Sequence, residues 1–252
     1  MMQCRDKAMN DMLEFSFRYR QSHSCRVTRE RSNSNAAAYD TSNADAALPR
    51  VYVHKLDALE VALSPDVYTL KPLVLILADA QQPGGCVQAG AGMQEESLFR
   101  RSALFAFLRP ELYPIGDDEA LCAHDVPVLL GTEAMYYAPL EQQPVHVTFL
   151  ALPAVKLPRL EGGTTRFTPD DARSMTLKIK LLFNTAAKYG NSAVVAGAMG
   201  CGAFGCPPRH VAELFREVLT DAHFWSQLNP CIKRVDFAIT GNLANIFRDV
   251  LC

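Results

Sequence analysis

The chain has 252 residues, 49% of them apolar, with 25 basic and 27 acidic side chains for a net charge of −2. That length and apolar content suit one large α/β core. The near-neutral balance excludes a chain that holds nucleic acid or an anionic membrane by overall charge, so neither is expected as a direct partner.

The first 50 residues read as an N-terminal arm. A short amphipathic piece around Met9–Tyr19 leads into a basic run with Arg18, Arg20, Arg26, Arg29 and Arg31. Ser32–Ala47, rich in Ser, Asn and Ala, is expected to be disordered or loosely attached. No apolar targeting segment stands at the start, and no run approaches the roughly 18 apolar residues of a membrane span. From residue 51 to 252 the pattern is that of one α/β domain. Val51–His54 predicts a strand, Asp57–Leu63 a short helix, and the continuous apolar run Leu73–Ala78 a strand buried on both faces. A helix is predicted over Glu95–Leu108, and Glu111–Pro127, with Pro114, Gly116 and Asp117-Asp118, reads as a loop. Val128–Gly131 and Val145–Leu150 are further strand candidates. The Thr168-Pro169 start and Gly190 stop bound a helix ending at Tyr189. Ser192–Ala198 then reads as strand, Pro208–Ala222 as helix, Val235–Ile239 as strand and Asn242–Val250 as a last helix. Strands alternating with helices imply a mostly parallel sheet covered on both faces.

Two glycine-rich stretches follow predicted strands. Pro83-Gly84-Gly85-Cys86 is separated by seven residues from Gln94-Glu95-Glu96, which opens the next helix. Glycines let backbone N–H groups approach an anion, and a carboxylate at the loop's end can do acid–base work on a phosphorylated or nucleotide substrate. The same residues also fit a plain strand-to-helix turn whose acids complement the helix dipole. The second stretch, Gly197 to Pro208, carries four glycines in nine residues, and two such loops at strand ends build a cleft for a diphosphate. Neither loop has the Gly-Lys-Ser/Thr of a P-loop or a clean dinucleotide fingerprint. The eight cysteines, at 4, 25, 86, 122, 201, 206, 231 and 252, are scattered without a Cys-x-x-Cys pair. They read as free thiols in a reducing, intracellular compartment, cytoplasmic or nuclear, and as no metal site; no cofactor is expected.

Pro83 to Cys86 with Gln94-Glu95-Glu96-Ser97-Leu98-Phe99-Arg100-Arg101-Ser102 resembles the signature of the poly(ADP-ribose) glycohydrolases, especially the compact microbial type. Gly200-Cys201-Gly202-Ala203-Phe204-Gly205, followed by Pro207-Pro208, resembles that family's second ligand loop. The resemblance covers about Val51 to Leu251. It implies a macrodomain-like, three-layer α/β/α sandwich with a mixed, mostly parallel sheet, taking ADP-ribose or poly(ADP-ribose) on modified proteins. By it, Glu96 is the catalytic carboxylate, protonating the departing ribose oxygen and then activating water, and Glu95 holds the ribose hydroxyls. Gly84, Gly85 and Cys86, with Gln94, and the loop of Gly200, Cys201, Gly202, Ala203 and Gly205 embrace the diphosphate, while Phe204 packs against the sugar. Without the resemblance, Phe204 reads as core.

Three positions depart from the family pattern. Cys86 stands where a third glycine is usual, which would strain the loop if the backbone there has positive φ. Asp79 replaces an Asn or Ser facing the ribose, and Ile76 replaces a polar residue. Two readings follow: a hydrolase of ribosyl O-glycosidic bonds, which the retained Glu96 favours, and a module that binds ADP-ribose without turnover or acts on another ADP-ribosyl linkage. A monomer is the default state.

Overall fold

A run of apolar residues with no polar face to give to water must be covered on both sides, and Pro72–Ile76 is such a run: all five residues are buried. In the computed structural model, which describes residues 2–22, 25–32, 48–141, 145–228 and 232–252, it is the third of seven strands in a mixed sheet. In chain order the elements are α1 (Met2–Ser22), β1 (Val27–Arg31), β2 (Arg50–His54), α2 (Ala58–Ala62), α3 (Pro65–Tyr68), β3 (Pro72–Ile76), α4 (Gln94–Arg101), α5 (Leu104–Phe107), β4 (Glu119–Val128), β5 (Val145–Ala151), α6 (Pro169–Lys188), β6 (Ala193–Ala196), α7 (Pro208–Thr220), α8 (Ala222–Gln227), β7 (Arg234–Ala238) and α9 (Leu243–Leu251). The chain divides into two compact units, Met1–Arg29 with Ile76–Pro153, and Glu30–Leu75 with Ala154–Cys252.

The second unit is the parallel part. Its strands run β3-β6-β7-β2, with Leu73 opposite Val194, Val194 opposite Val235 and Val51 opposite Val235. Phe237 on β7 packs edge-on against Phe215 of α7 at 4.9 Å and tilted against Phe247 of α9 at 5.7 Å, so one aromatic fixes two helices to the sheet. Asp236, fully buried beside them, is satisfied by Arg234 through two bonds of 2.8 and 2.9 Å and by His54 at 2.7 Å.

The first unit holds the antiparallel pair β4–β5, in register from Leu121 opposite Ala151 to Val128 opposite Val145, with a bulge between Ala123 and Val126. Glu111–Pro127 is thus not wholly a loop: only its first part is, and Ala120–His124 form a buried strand. Asp117-Asp118 gave a turn signal, but the apolar residues after it extend the pairing. Of Val128–Gly131 only Val128 is strand. The helix expected over Glu95–Leu108 is broken at Ser102, which is extended (φ −142°, ψ 165°) and pairs with Val128, while the Ala103 N–H donates to Pro127 O at 2.9 Å. The break hands backbone groups from the helix to the sheet.

Residues 2–22 form a 21-residue helix, longer than the piece expected around Met9–Tyr19. Ala8, Met12 and Ser16, at a spacing of four, are buried, and α1 packs on α4 and α5. Tyr19 stacks on Phe107 at 6.1 Å. Most of the Ser/Asn/Ala-rich stretch, residues 33–47, lies outside the described residues. Among the described residues no helix is long and apolar enough to cross a membrane.

Candidate active site

β3 ends at Ile76, two residues earlier than the apolar run suggests, because the Leu77 N–H turns to Gln94 Oε1 at 2.9 Å. Gln94 therefore ties the strand end to the first turn of α4. Glu95 and Glu96 follow it and are buried, at 3% and 6% exposure. Carboxylates tolerate such burial only with donors, and backbone N–H groups at the loop supply them. Glu95 accepts from the Asp79 N–H at 2.8 Å on Oε2 and from the Gly84 N–H at 3.0 Å on Oε1. Glu96 Oε1 accepts from the Cys86 N–H at 3.1 Å. Glu96 Oε2 is buried without a hydrogen-bond partner among the described residues. Burial pushes the Glu95 carboxyl up to about 8, against the two N–H bonds that favour its ionised form.

The glycines make this geometry possible. Gly84 and Gly85 have φ of +74° and +53°, and a Cβ on Gly85 would lie 2.8 Å from Glu96 Oε1 and 3.2 Å from Glu95 Oε2. Cys86 does not share that conformation. Its φ is −96°, its side chain is exposed, and only its N–H is committed to Glu96. The backbone strain considered for a non-glycine at this position is absent. Asp79 gives its N–H to Glu95, and its Oδ1 accepts from the Gln81 N–H at 2.6 Å, so its carboxylate shapes a turn. Ile76 is fully buried.

Behind the loop, Arg5 of α1 bonds Glu133 through Nε at 2.8 Å and Nη2 at 2.9 Å and the Gly90 carbonyl at 3.0 Å. It lies so close to Gly92 that a Cβ there would clash with its guanidinium group. Arg100 of α4, fully buried, donates to Val87 O at 3.0 Å. Two guanidinium groups thus hold the turn that joins Cys86 to Glu96.

The second loop is built differently, within its own unit. Gly200 has φ +72°, and a Cβ there would lie 2.5 Å from Cys206 Sγ and 2.8 Å from Ala154 Cβ. The Cys206 N–H donates to Gly200 O at 2.9 Å and its thiol to Val155 O at 3.1 Å. Burial pushes both the Cys206 thiol, to about 12, and the Cys201 thiol up, so they pack as neutral groups. Gly202, Ala203 and Gly205 are exposed, and Phe204 is half-buried rather than core. The Leu157 N–H donates to Phe204 O at 2.9 Å, and Lys156 Nζ lies 5.5 Å from the Phe204 ring centre.

A family model described as the microbial-type PARG catalytic domain matches residues 6–139, more than half of the chain. The chain belongs to that family. The match starts inside α1, so the resemblance extends N-terminal of Val51, where the motifs alone had placed its start. Among solved structures, poly(ADP-ribose) glycohydrolase from Thermomonospora curvata is 25% identical over 95% of this chain and 88% of that one, with a TM-score of 0.72. The same enzyme with the inhibitor ADP-HPD bound gives 25% identity, the same coverage and a TM-score of 0.70. The Deinococcus radiodurans enzyme in complex with ADP-ribose, 22% identical over 98% of this chain and 92% of that one, shares the fold at a TM-score of 0.66. No curated protein sequence matches the chain. The macrodomain-like α/β fold expected from the two loops is the observed one.

The first unit brings Asp79, Gly84, Gly85, Cys86, Gln94, Glu95 and Glu96 into one cluster, and the second gathers Gly200 to Gly205 around Phe204. Sequence reasoning missed Arg5, Lys156 and Leu157. Each owes its place to a contact distant in sequence, and none carries a local signal beyond its residue type.

Proposed function

We propose that the chain hydrolyses the ribosyl O-glycosidic bonds of poly(ADP-ribose), releasing ADP-ribose, with Glu96 as both general acid and general base. The observation that carries the reading is the asymmetry of the two carboxylates: three of their four oxygens accept backbone N–H groups, and Glu96 Oε2 has no partner among the described residues. A buried polar atom left unpaired by the fold points to a ligand. Protonated Glu96 gives its proton to the departing ribose oxygen as the C1–O bond breaks and positive charge develops on the sugar. The resulting carboxylate takes a proton from the incoming water, whose oxygen bonds C1, and the acid is regenerated. One side chain serves both steps, where most glycosidases divide them between two.

Glu95 is held rigidly by two N–H bonds and keeps further hydrogen-bonding capacity for a ribose hydroxyl. Within the second unit, the exposed glycines at 202 and 205 leave backbone open to a phosphate, and Phe204 offers an aromatic face to a sugar. The substrate is ADP-ribose polymer on modified proteins, and the chain acts as a monomer within a reducing compartment; free thiols at Cys86, Cys201 and Cys206 support the latter.

The test compares the wild-type chain and Glu96→Gln on labelled polymer. The substitution keeps size and removes the transferable proton, so release of ADP-ribose should fall about 10³-fold, while ADP-ribose affinity measured by calorimetry stays within about threefold, less than about 0.7 kcal/mol. Wild-type protein that binds ADP-ribose but releases none from polymer would reduce the chain to a reader.

A further inference from the structure

Glu96 Oε2 is not the only orphan polar atom of the first unit. The hydroxyl of Tyr113 is also buried without a hydrogen-bond partner among the described residues. Its segment is fixed on both sides. The Tyr113 N–H closes a single 3-10 turn, Pro110–Leu112, by donating to Pro110 O at 3.0 Å, and the backbone leaves that turn extended (φ −100°, ψ 155°). Two residues on, the Ile115 N–H donates to Ala80 O at 2.8 Å, and the Gly116 N–H donates to Glu119 Oε2 at 3.2 Å. Ala80 directly follows Asp79, whose N–H holds Glu95. The segment from Tyr113 to Ile115, which bends through a cis Tyr113–Pro114 bond, therefore runs beside the loop after β3 that holds Glu95.

We propose that Tyr113 is a substrate-binding residue whose hydroxyl bonds the same terminal ribose that Glu95 holds. This rests on the glycohydrolase reading above. A phenol can donate and accept at once, which suits a sugar hydroxyl already donating to a carboxylate. Burial, with the charges of Glu95 and Asp79, pushes the phenol well above its ordinary range, so it stays protonated and able to donate throughout the working pH range. Asp79 is turned to the Gln81 N–H, and Tyr113 supplies a neutral donor beside it.

Tyr113→Phe deletes the hydroxyl and keeps the ring. Calorimetry on the full chain should show ADP-ribose binding weakened about tenfold (about 1.4 kcal/mol). ADP, which ends before the terminal ribose, should bind both proteins equally within about twofold (about 0.4 kcal/mol). With polymer, KM should rise more than kcat falls. Thermal stability should hold or increase, because the variant loses a buried unpaired group. A merely structural tyrosine gives the opposite pattern, with affinity for ADP-ribose unchanged. Unchanged ADP-ribose affinity, or parallel losses for ADP-ribose and ADP, overturns the assignment and leaves the glycohydrolase reading standing. A wild-type chain that binds no ADP-ribose overturns both.

Discussion

The two glycine-rich loops follow strand ends in the same way but solve opposite problems. The loop at Pro83–Glu96 spends its backbone donors on two buried carboxylates and leaves one oxygen over. The loop at Gly197–Pro208 is closed upon itself through Cys206 and held from outside by Val155 and Leu157, with its glycine-rich tip exposed. Asp236 sharpens the contrast, since a carboxylate kept for structure is satisfied on both oxygens. The first loop thus leaves a buried carboxylate oxygen incomplete beside its glycines, whereas Asp236 is complete.

The sharpest way to break this comparison is at Gly85. Its φ of +53° and the 2.8 Å approach of a Cβ to Glu96 Oε1 mean that Gly85→Ala must displace the acid or rotate the loop. Polymer hydrolysis should fall more than about 100-fold, more than about 2.7 kcal/mol of transition-state stabilisation. Gly200→Ala meets Cys206 Sγ at 2.5 Å and Ala154 Cβ at 2.8 Å, in a loop with no carboxylate to misplace. The cost there should appear as stability, about 3 kcal/mol by calorimetric or denaturant unfolding. Adding Cys206→Ala should recover part of it by removing the sulfur. If Gly200→Ala instead abolished hydrolysis at unchanged stability, the division of labour would be wrong.

Both loops were legible in the sequence because glycine runs after apolar runs are local signals, and most strands and helices from Val51 onward followed from periodicity, whereas β1 and most of β4 did not. What was hidden depends on contacts between distant residues. The break at Ser102 exists because Val128 and Pro127, 26 and 25 positions later, take up the backbone. Arg5 reads as one charge in a mixed N-terminal segment until Glu133 and Gly90 come beside it. Tyr113 sits among turn residues and becomes informative only once its hydroxyl is buried.

Glu95 also predicts a pH signature, in a window below that of the second loop's thiols. Glu95 is raised in the folded state from 4.5 to about 8, so between those values the folded chain holds a proton that the unfolded chain has released. That stabilisation is fully present below about pH 4.5 and is lost as pH rises towards 8, with a slope of at most about 1.4 kcal/mol per pH unit. Glu95→Gln should flatten the unfolding free energy over this window relative to wild type. Equal slopes in the two proteins would show that the N–H bonds from Asp79 and Gly84 hold Glu95 ionised throughout.

The smallest effect is expected at Cys86, where the motif resemblance led to the expectation of a third glycine. Cys86 sits at φ −96°, exposed, and serves Glu96 through its backbone N–H alone. Restoring glycine preserves that donor, so Cys86→Gly should change polymer hydrolysis by less than about twofold (about 0.4 kcal/mol) and lower stability by about 0.5–1 kcal/mol through added backbone freedom. Alkylation of the wild-type thiol tests the same geometry from the other direction, since an exposed side chain can react without disturbing the N–H bond. A gain of tenfold or more in Cys86→Gly would mean that the side chain, rather than the backbone, meets the substrate, and the first loop would then resemble the second in depending on what its glycines leave open.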